Sequence, residues 1–103
     1  MFGEVLMTIF DELLLIKWPN EFIIEYCDGL KERLLRGEGV AITPPADDPE
    51  GIGGISAELP KKHPRNQSIG RCVRFDQLRA IYTTDGRQLW RGAEPGAAPG
   101  PAR

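Results

Sequence analysis

Histidine occurs once in the 103-residue chain, as His63, and cysteine twice, as Cys27 and Cys72. One imidazole and two distant thiols cannot close the four-ligand set of a structural zinc site. Two cysteines also give no disulfide framework, so the expectation is a pair of buried thiols in a reducing compartment. Apolar runs are short. The longest candidate, Leu13-Leu14-Leu15-Ile16, stands between Asp11-Glu12 and Lys17, far below the ~20 residues of a membrane span. No basic segment precedes an apolar stretch near Met1, so no secretory signal is expected. Together these absences point to a cytoplasmic protein with no metal, no cofactor and no membrane partner. Aromatic residues make up only 8%, which leaves few rings for the base-stacking platforms of single-strand nucleic-acid binders.

What is present is ordinary for a globular domain: 41% hydrophobic and 27% charged residues. The length suits one domain, expected over residues 1–92. Residues 93–103, rich in proline, alanine and glycine, are expected to form a disordered tail. The net charge of −2 conceals an asymmetry: residues 1–60 carry twelve acids and four bases, residues 61–91 eight bases and two acids. Such a split suits a nucleic-acid face on the basic half, or two halves that lie against each other and cancel.

Residues 4–17 have helical periodicity. Val5, Leu6, Ile9, Phe10, Leu13, Leu14 and Ile16 recur at three- and four-residue spacing, Leu15 falls near the polar side, and Pro19 stops the helix. The apolar arc covers about half the wheel, wide enough to lean on a sheet and on a second subunit. Residues 20–36 support two readings. In one, Phe22, Ile24 and Tyr26 share a strand face that runs into an Asp28-Gly29 hairpin. In the other, Asn20 caps a helix with Ile23, Cys27, Leu30 and Leu34 on one side. The strand over 21–27 is the preferred one. Gly39–Thr43 and Ile55–Leu59 are predicted short strands, and Ala46–Gly54 and Pro60–Ser68 are predicted loops. From Gly70 to Trp90 the pattern is strand, tight turn, strand, Asp85-Gly86 hairpin, strand. The fold class expected is α+β: an N-terminal helix plus a small, strongly bent antiparallel sheet or five-stranded SH3/Sm-like barrel.

Glu25-Tyr26-Cys27-Asp28-Gly29 and the segment Gly70-Arg71-Cys72-Val73-Arg74-Phe75-Asp76-Gln77-Leu78-Arg79-Ala80-Ile81 resemble the corresponding parts of small SH3-like, specifically Sm-like, barrels. The resemblance covers about half the chain. It implies an N-terminal helix, bent strands, and last strands that pair between subunits. The family's base-binding loop, an aromatic or His followed by Asn, has no counterpart after Gly39, so RNA binding does not carry over.

Candidate chemistry is sparse. His63 has no orienting partner or nucleophile context. Asp47, Asp48 and Glu50 lack the alternate spacing of a calcium loop, and Gly51-Ile52-Gly53-Gly54 lacks the Gly-Lys-Ser/Thr of a phosphate loop. No catalytic residue is assigned. Lys61, Lys62, Arg65, Arg71 and Arg74 are the candidate phosphate contacts, with Arg71 and Arg74 on opposite strand faces. Leu6, Phe10, Leu13, Trp18 and Trp90 are the candidate interface residues, the tryptophans also suiting a lid over the barrel ends. The function expected is a self-associating, non-catalytic binding or assembly module. The alternatives are a nucleic-acid-binding barrel and a ligand-binding or enzymatic fold with a pocket between subunits. A protein partner is compatible with the first of these.

Overall fold

The computed structural model describes residues 2–62 and 68–92, with backbone alone for 2–4, 61, 62, 68 and 69. Helix α1 (Phe2–Leu13) is followed by strands β1 (Glu21–Tyr26), β2 (Lys31–Leu35), β3 (Ala41–Thr43), β4 (Gly54–Lys62), β5 (Ser68–Arg74), β6 (Leu78–Thr83) and β7 (Gln88–Arg91). Short 3₁₀ turns occupy Pro45–Asp47 and Phe75–Gln77. All strand pairs are antiparallel. The sheet curls strongly into a half-barrel, so the fold is the expected small α+β type. Among the described residues it has seven strands rather than about five, because both arms of the Asp28-Gly29 hairpin are strands and β2 and β3 pair in succession with β4.

The ambiguity over residues 20–36 resolves as a hairpin. Glu25 pairs with Lys31 and Phe22 with Leu34. The Asp28 carboxylate accepts from the Leu30 N–H at 3.0 Å, and Gly29 takes a positive φ of 91°. Helix-forming residues in Lys31–Leu35 are overruled by packing, since Leu34 is fully buried on the concave face. Helix α1 ends at Leu13, earlier than the expected 17, and unwinds through single bonds such as Leu15 N–H to the Glu12 carbonyl. Arg36 then clamps the connection to β1, donating to the Trp18 carbonyl (2.9 Å) and the Asn20 side chain (2.6 Å).

The expected Pro60–Ser68 loop is shorter than read. β4 runs through Pro60 to Lys62, and Lys62 pairs with Ser68. A register shift between Glu58 and Lys62 accommodates a proline, which has no N–H to give the ladder. Arg65, His63 and the expected tail at 93–103 lie outside the described residues.

Strand alternation sends Phe22, Ile24, Leu34, Ile55, Ala57, Val73 and Ile81 to the concave face, where Leu6 and Leu13 of α1, Phe75, Leu78 and Trp90 join them in one core. The helix lies over β3 and both 3₁₀ turns. The cysteines depart from expectation: both are exposed. Cys27 sits at the hairpin tip, and Cys72 faces outward because its neighbour Val73 takes the inward position. The edge of β6 is covered within the chain by β7, with Ile81 opposite Trp90. Among the described residues no helix is long and apolar enough to cross a membrane.

Candidate functional site

The concave face is apolar along most of its length and turns polar towards the Asp28-Gly29 hairpin. Tyr26, Glu32 and Arg71 hold inward positions on β1, β2 and β5, in line with Ile24, Leu34 and Val73. The Tyr26 hydroxyl donates to Glu32 at 2.6 Å. The Arg71 guanidinium forks onto the same carboxylate, Nε to Oε1 at 3.0 Å and Nη2 to Oε2 at 3.0 Å. Two strands that do not pair with each other are therefore bridged across β4 by a bidentate ion pair.

Burial alone would raise the Glu32 carboxyl, but hydrogen bonds from Arg71 and Tyr26 outweigh it and hold the group below its ordinary range. Burial, then the hydrogen bond to Glu32, push the Tyr26 phenol up to about 12. The Arg71 guanidinium is pushed up by its bond to Glu32. These shifts fix the direction of two pH effects. Glu32 is depressed when folded, so its contribution is complete above the unfolded value of 4.5 and is lost as pH falls through the folded value. Tyr26 is raised, so its contribution is complete below 10.0 and is lost as pH climbs towards about 12. The gap between thermal melts of wild type and Glu32→Gln is expected to be larger at about pH 7 than at about pH 3. An equal gap at both values would show that ionised Glu32 contributes nothing.

Around this triad runs a groove made of three clefts that share lining residues. The first, about 460 Å³, is lined by Tyr26, Cys27, Asp28, Leu30, Asp76 and Gln77. The second, about 390 Å³, shares Tyr26, Leu30 and Gln77 and adds Arg71 and Cys72. The third, about 500 Å³, continues past Glu32 and Arg71 to Leu59 and Pro60. The strand reading placed Tyr26 on the correct face, with Phe22 and Ile24, and did not single out Glu32. Its only signal was the parity it shares with Leu34.

The basic candidates separate. Lys61 and Lys62 fall at the end of β4, while Arg71 is held by Glu32. Arg74, on the opposite face, reaches Asp48 at 2.9 Å and Glu50 at 2.7 Å. Asp48 also accepts from the backbone N–H groups of Gly53 (2.9 Å), Ile52 (3.0 Å) and Glu50 (3.3 Å). Those bonds, Gly53 first, hold its carboxyl below the ordinary range. The 46–54 loop is thus tied to β5. Among the described residues no group of three or more His, Cys, Asp and Glu side chains is placed to hold a metal ion.

The interface candidates are also distributed differently from their expected cluster. Leu6, Leu13 and Trp90 are buried in the chain's own core. Trp90 Nε1 donates to Glu12 at 2.8 Å, fastening β7 to α1. Trp18 is half-buried, its ring 4.8 Å from that of Phe22. Phe10 is half-buried at the border of the core. The unburied apolar residues of this region are Val5, Met7, Leu14 and Leu15. No protein-family model, no curated protein and no solved structure matches this chain.

Proposed function

We propose that this chain is a small, non-catalytic binding and assembly module of the cytoplasm that associates with copies of itself through the outer side of α1. The observation that carries the reading is the uneven use of the helix. Leu6 and Leu13 are fully packed inside, yet Met7 and Leu14 expose 41% and 55% of their surfaces. Met7 and Phe10 lie three residues apart on one flank of α1, and Leu14, whose N–H donates to the Phe10 carbonyl at 3.2 Å, extends the stripe one position past the helix end. A second helix bearing the same stripe is self-complementary to it, as a twofold dimer requires.

Charge does not supply the driving force. Arg71 and Arg74 of the basic half meet acids of the other half within one chain, Arg71 on Glu32 and Arg74 on Asp48 and Glu50. The same pairing disfavours the nucleic-acid alternative, because phosphates would have to displace carboxylates already in place.

Sedimentation of the wild-type chain at tens of micromolar is expected to give more than one chain's mass. Met7→Glu combined with Leu14→Glu should return the monomer with the melting temperature preserved, while Thr8→Glu should leave the mass unchanged. A monomeric wild type at those concentrations would remove the proposal.

A further inference from the structure

Among the described residues β5 pairs only with β4. Its other edge therefore offers the row of backbone donors and acceptors that edge strands present to incoming chains. The groove described above lies along that edge. Arg71 and Cys72 of β5 form one wall, and Tyr26, Leu30 and Gln77 the other. Leu30 is 67% exposed there, an apolar seat without a cover. Among the described residues no strand pairs with β5 on this side, and Arg71 and Glu32, joined by their ion pair, line the cleft there.

Charge in the groove selects the occupant. Of the cations that line the clefts, Arg71 is neutralised by the forked contact with Glu32, Arg33 stands 3.9 Å from Glu21, and Lys31 holds its ammonium over the Tyr82 ring at 5.4 Å. Asp28 and Asp76 line the hairpin end of the groove, and neither forms an ion pair among the described residues. A phosphate backbone is repelled by those carboxylates. A peptide with alternating apolar and basic side chains meets both demands, since successive residues of a strand point to opposite sides.

We propose that the seam between the free edge of β5 and the β1–β2 hairpin receives an extended basic segment of another protein as an added strand. The backbone bonds come from β5, an aliphatic side chain rests on Leu30 and Tyr26, and a Lys or Arg of the segment faces Asp28 and Asp76. This is a site separate from the outer side of α1, and it stands whether or not the chain dimerises there.

The test uses three labelled seven-residue peptides, matched to the length of β5: one alternating Val and Lys, one alternating Val and Glu, and the Lys peptide N-methylated at alternate residues. Fluorescence anisotropy is expected to show the Lys peptide binding at least about tenfold more tightly than the Glu peptide, with affinity falling as salt rises. N-methylation should abolish most of the binding, because it removes the ladder donors. Asp28→Asn with Asp76→Asn should weaken the Lys peptide by about tenfold, as two partly exposed ion pairs are lost. The amide oxygen introduced by Asp28→Asn still accepts from the Leu30 N–H, so the melting temperature should not move. Amide exchange at residues 70–73 should slow on saturation. Equal binding of the Lys and Glu peptides, no binding at about 1 mM, or protection confined to α1 would each overturn the proposal. Protection of the 70–73 amides in a peptide-free dimer would also overturn it, because the edge would then belong to a second copy.

Discussion

Replacing Gly53 with alanine is expected to cost about 2–5 kcal/mol, a large share of the ~5–15 kcal/mol that holds a domain of this size together. Two causes act together. Gly53 has φ of +84°, a region in which a Cβ costs roughly 1–2 kcal/mol. The added carbon would also lie 2.6 Å from the Thr43 carbonyl oxygen and 2.8 Å from the Phe75 ring. Neither neighbour can give way cheaply. Thr43 is locked in the β3–β4 ladder opposite Gly54, and Phe75 is 1% exposed in the core. Overpacking of that kind costs about 1–3 kcal/mol. Gly29→Ala is the control, with a φ of +91° but no atom within 4 Å of the added carbon. It should lose only the conformational part, about 1 kcal/mol. Thermal melts should place the Gly53 variant on the order of 10 °C or more below the Gly29 variant. Equal losses would mean that the close approach to Thr43 and Phe75 is relieved by relaxation. Phe75→Leu in the Gly53→Ala background should cost less than Phe75→Leu alone, since it also relieves one of the two clashes.

That glycine also marks the boundary of what could be read from residues alone. The Gly51-Ile52-Gly53-Gly54 run was recognisable as a loop and as no phosphate site, because the Lys and Ser/Thr of such loops are missing. Its actual role depends on a ring 22 positions later and on the carboxylate of Asp48, neither of which has a local signature. Short-range chemistry was legible: Asp28-Gly29 and Asp85-Gly86 both form turns. In the second, Thr83 bonds Asp85 and the Arg87 N–H donates to Thr83 Oγ1 at 2.9 Å. The alternation of Val73 with Cys72 was legible too. The mistake about Cys72 came from counting cysteine as buried by type when its neighbour already held the inward position.

The groove was hardest to see. Tyr26 and Arg71 were both noted, one as a strand residue and one as a phosphate contact. Their meeting point is Glu32, separated from Arg71 by 39 residues. Arg74 and Asp48 stand 26 residues apart and pose the same difficulty. A base in a charge-rich segment invites a reading as a ligand contact, whereas a half-barrel brings its own acids across the sheet to meet it. For Arg71 and Arg74, the charge asymmetry along the chain is met across the sheet by acids of the other half.

Trp90 supplies the second large effect and separates a lid from an interface anchor. Only 7% of its surface is exposed, and its indole N–H bonds Glu12 across 78 positions. Its ring also packs so close to Gly92 that a Cβ there would lie 2.8 Å away. Trp90→Ala is expected to cost about 3–5 kcal/mol, the range for truncating a large buried aromatic. The melting temperature should fall by on the order of 15 °C. Trp90→Phe should keep most of the packing and lose the single hydrogen bond, about 1 kcal/mol. Glu12→Gln, which retains an acceptor, should cost less still. These losses should be independent of protein concentration, since the ring is covered by its own chain. An anchor between copies would behave differently: Trp90→Ala would then lower the mass in solution while leaving the melting temperature of the monomer in place. Loss of mass without loss of stability is thus the result that would return Trp90 to the interface. Loss of stability at every concentration assigns it to the joint between β7 and α1, and leaves the proposed association to the outer stripe of the helix.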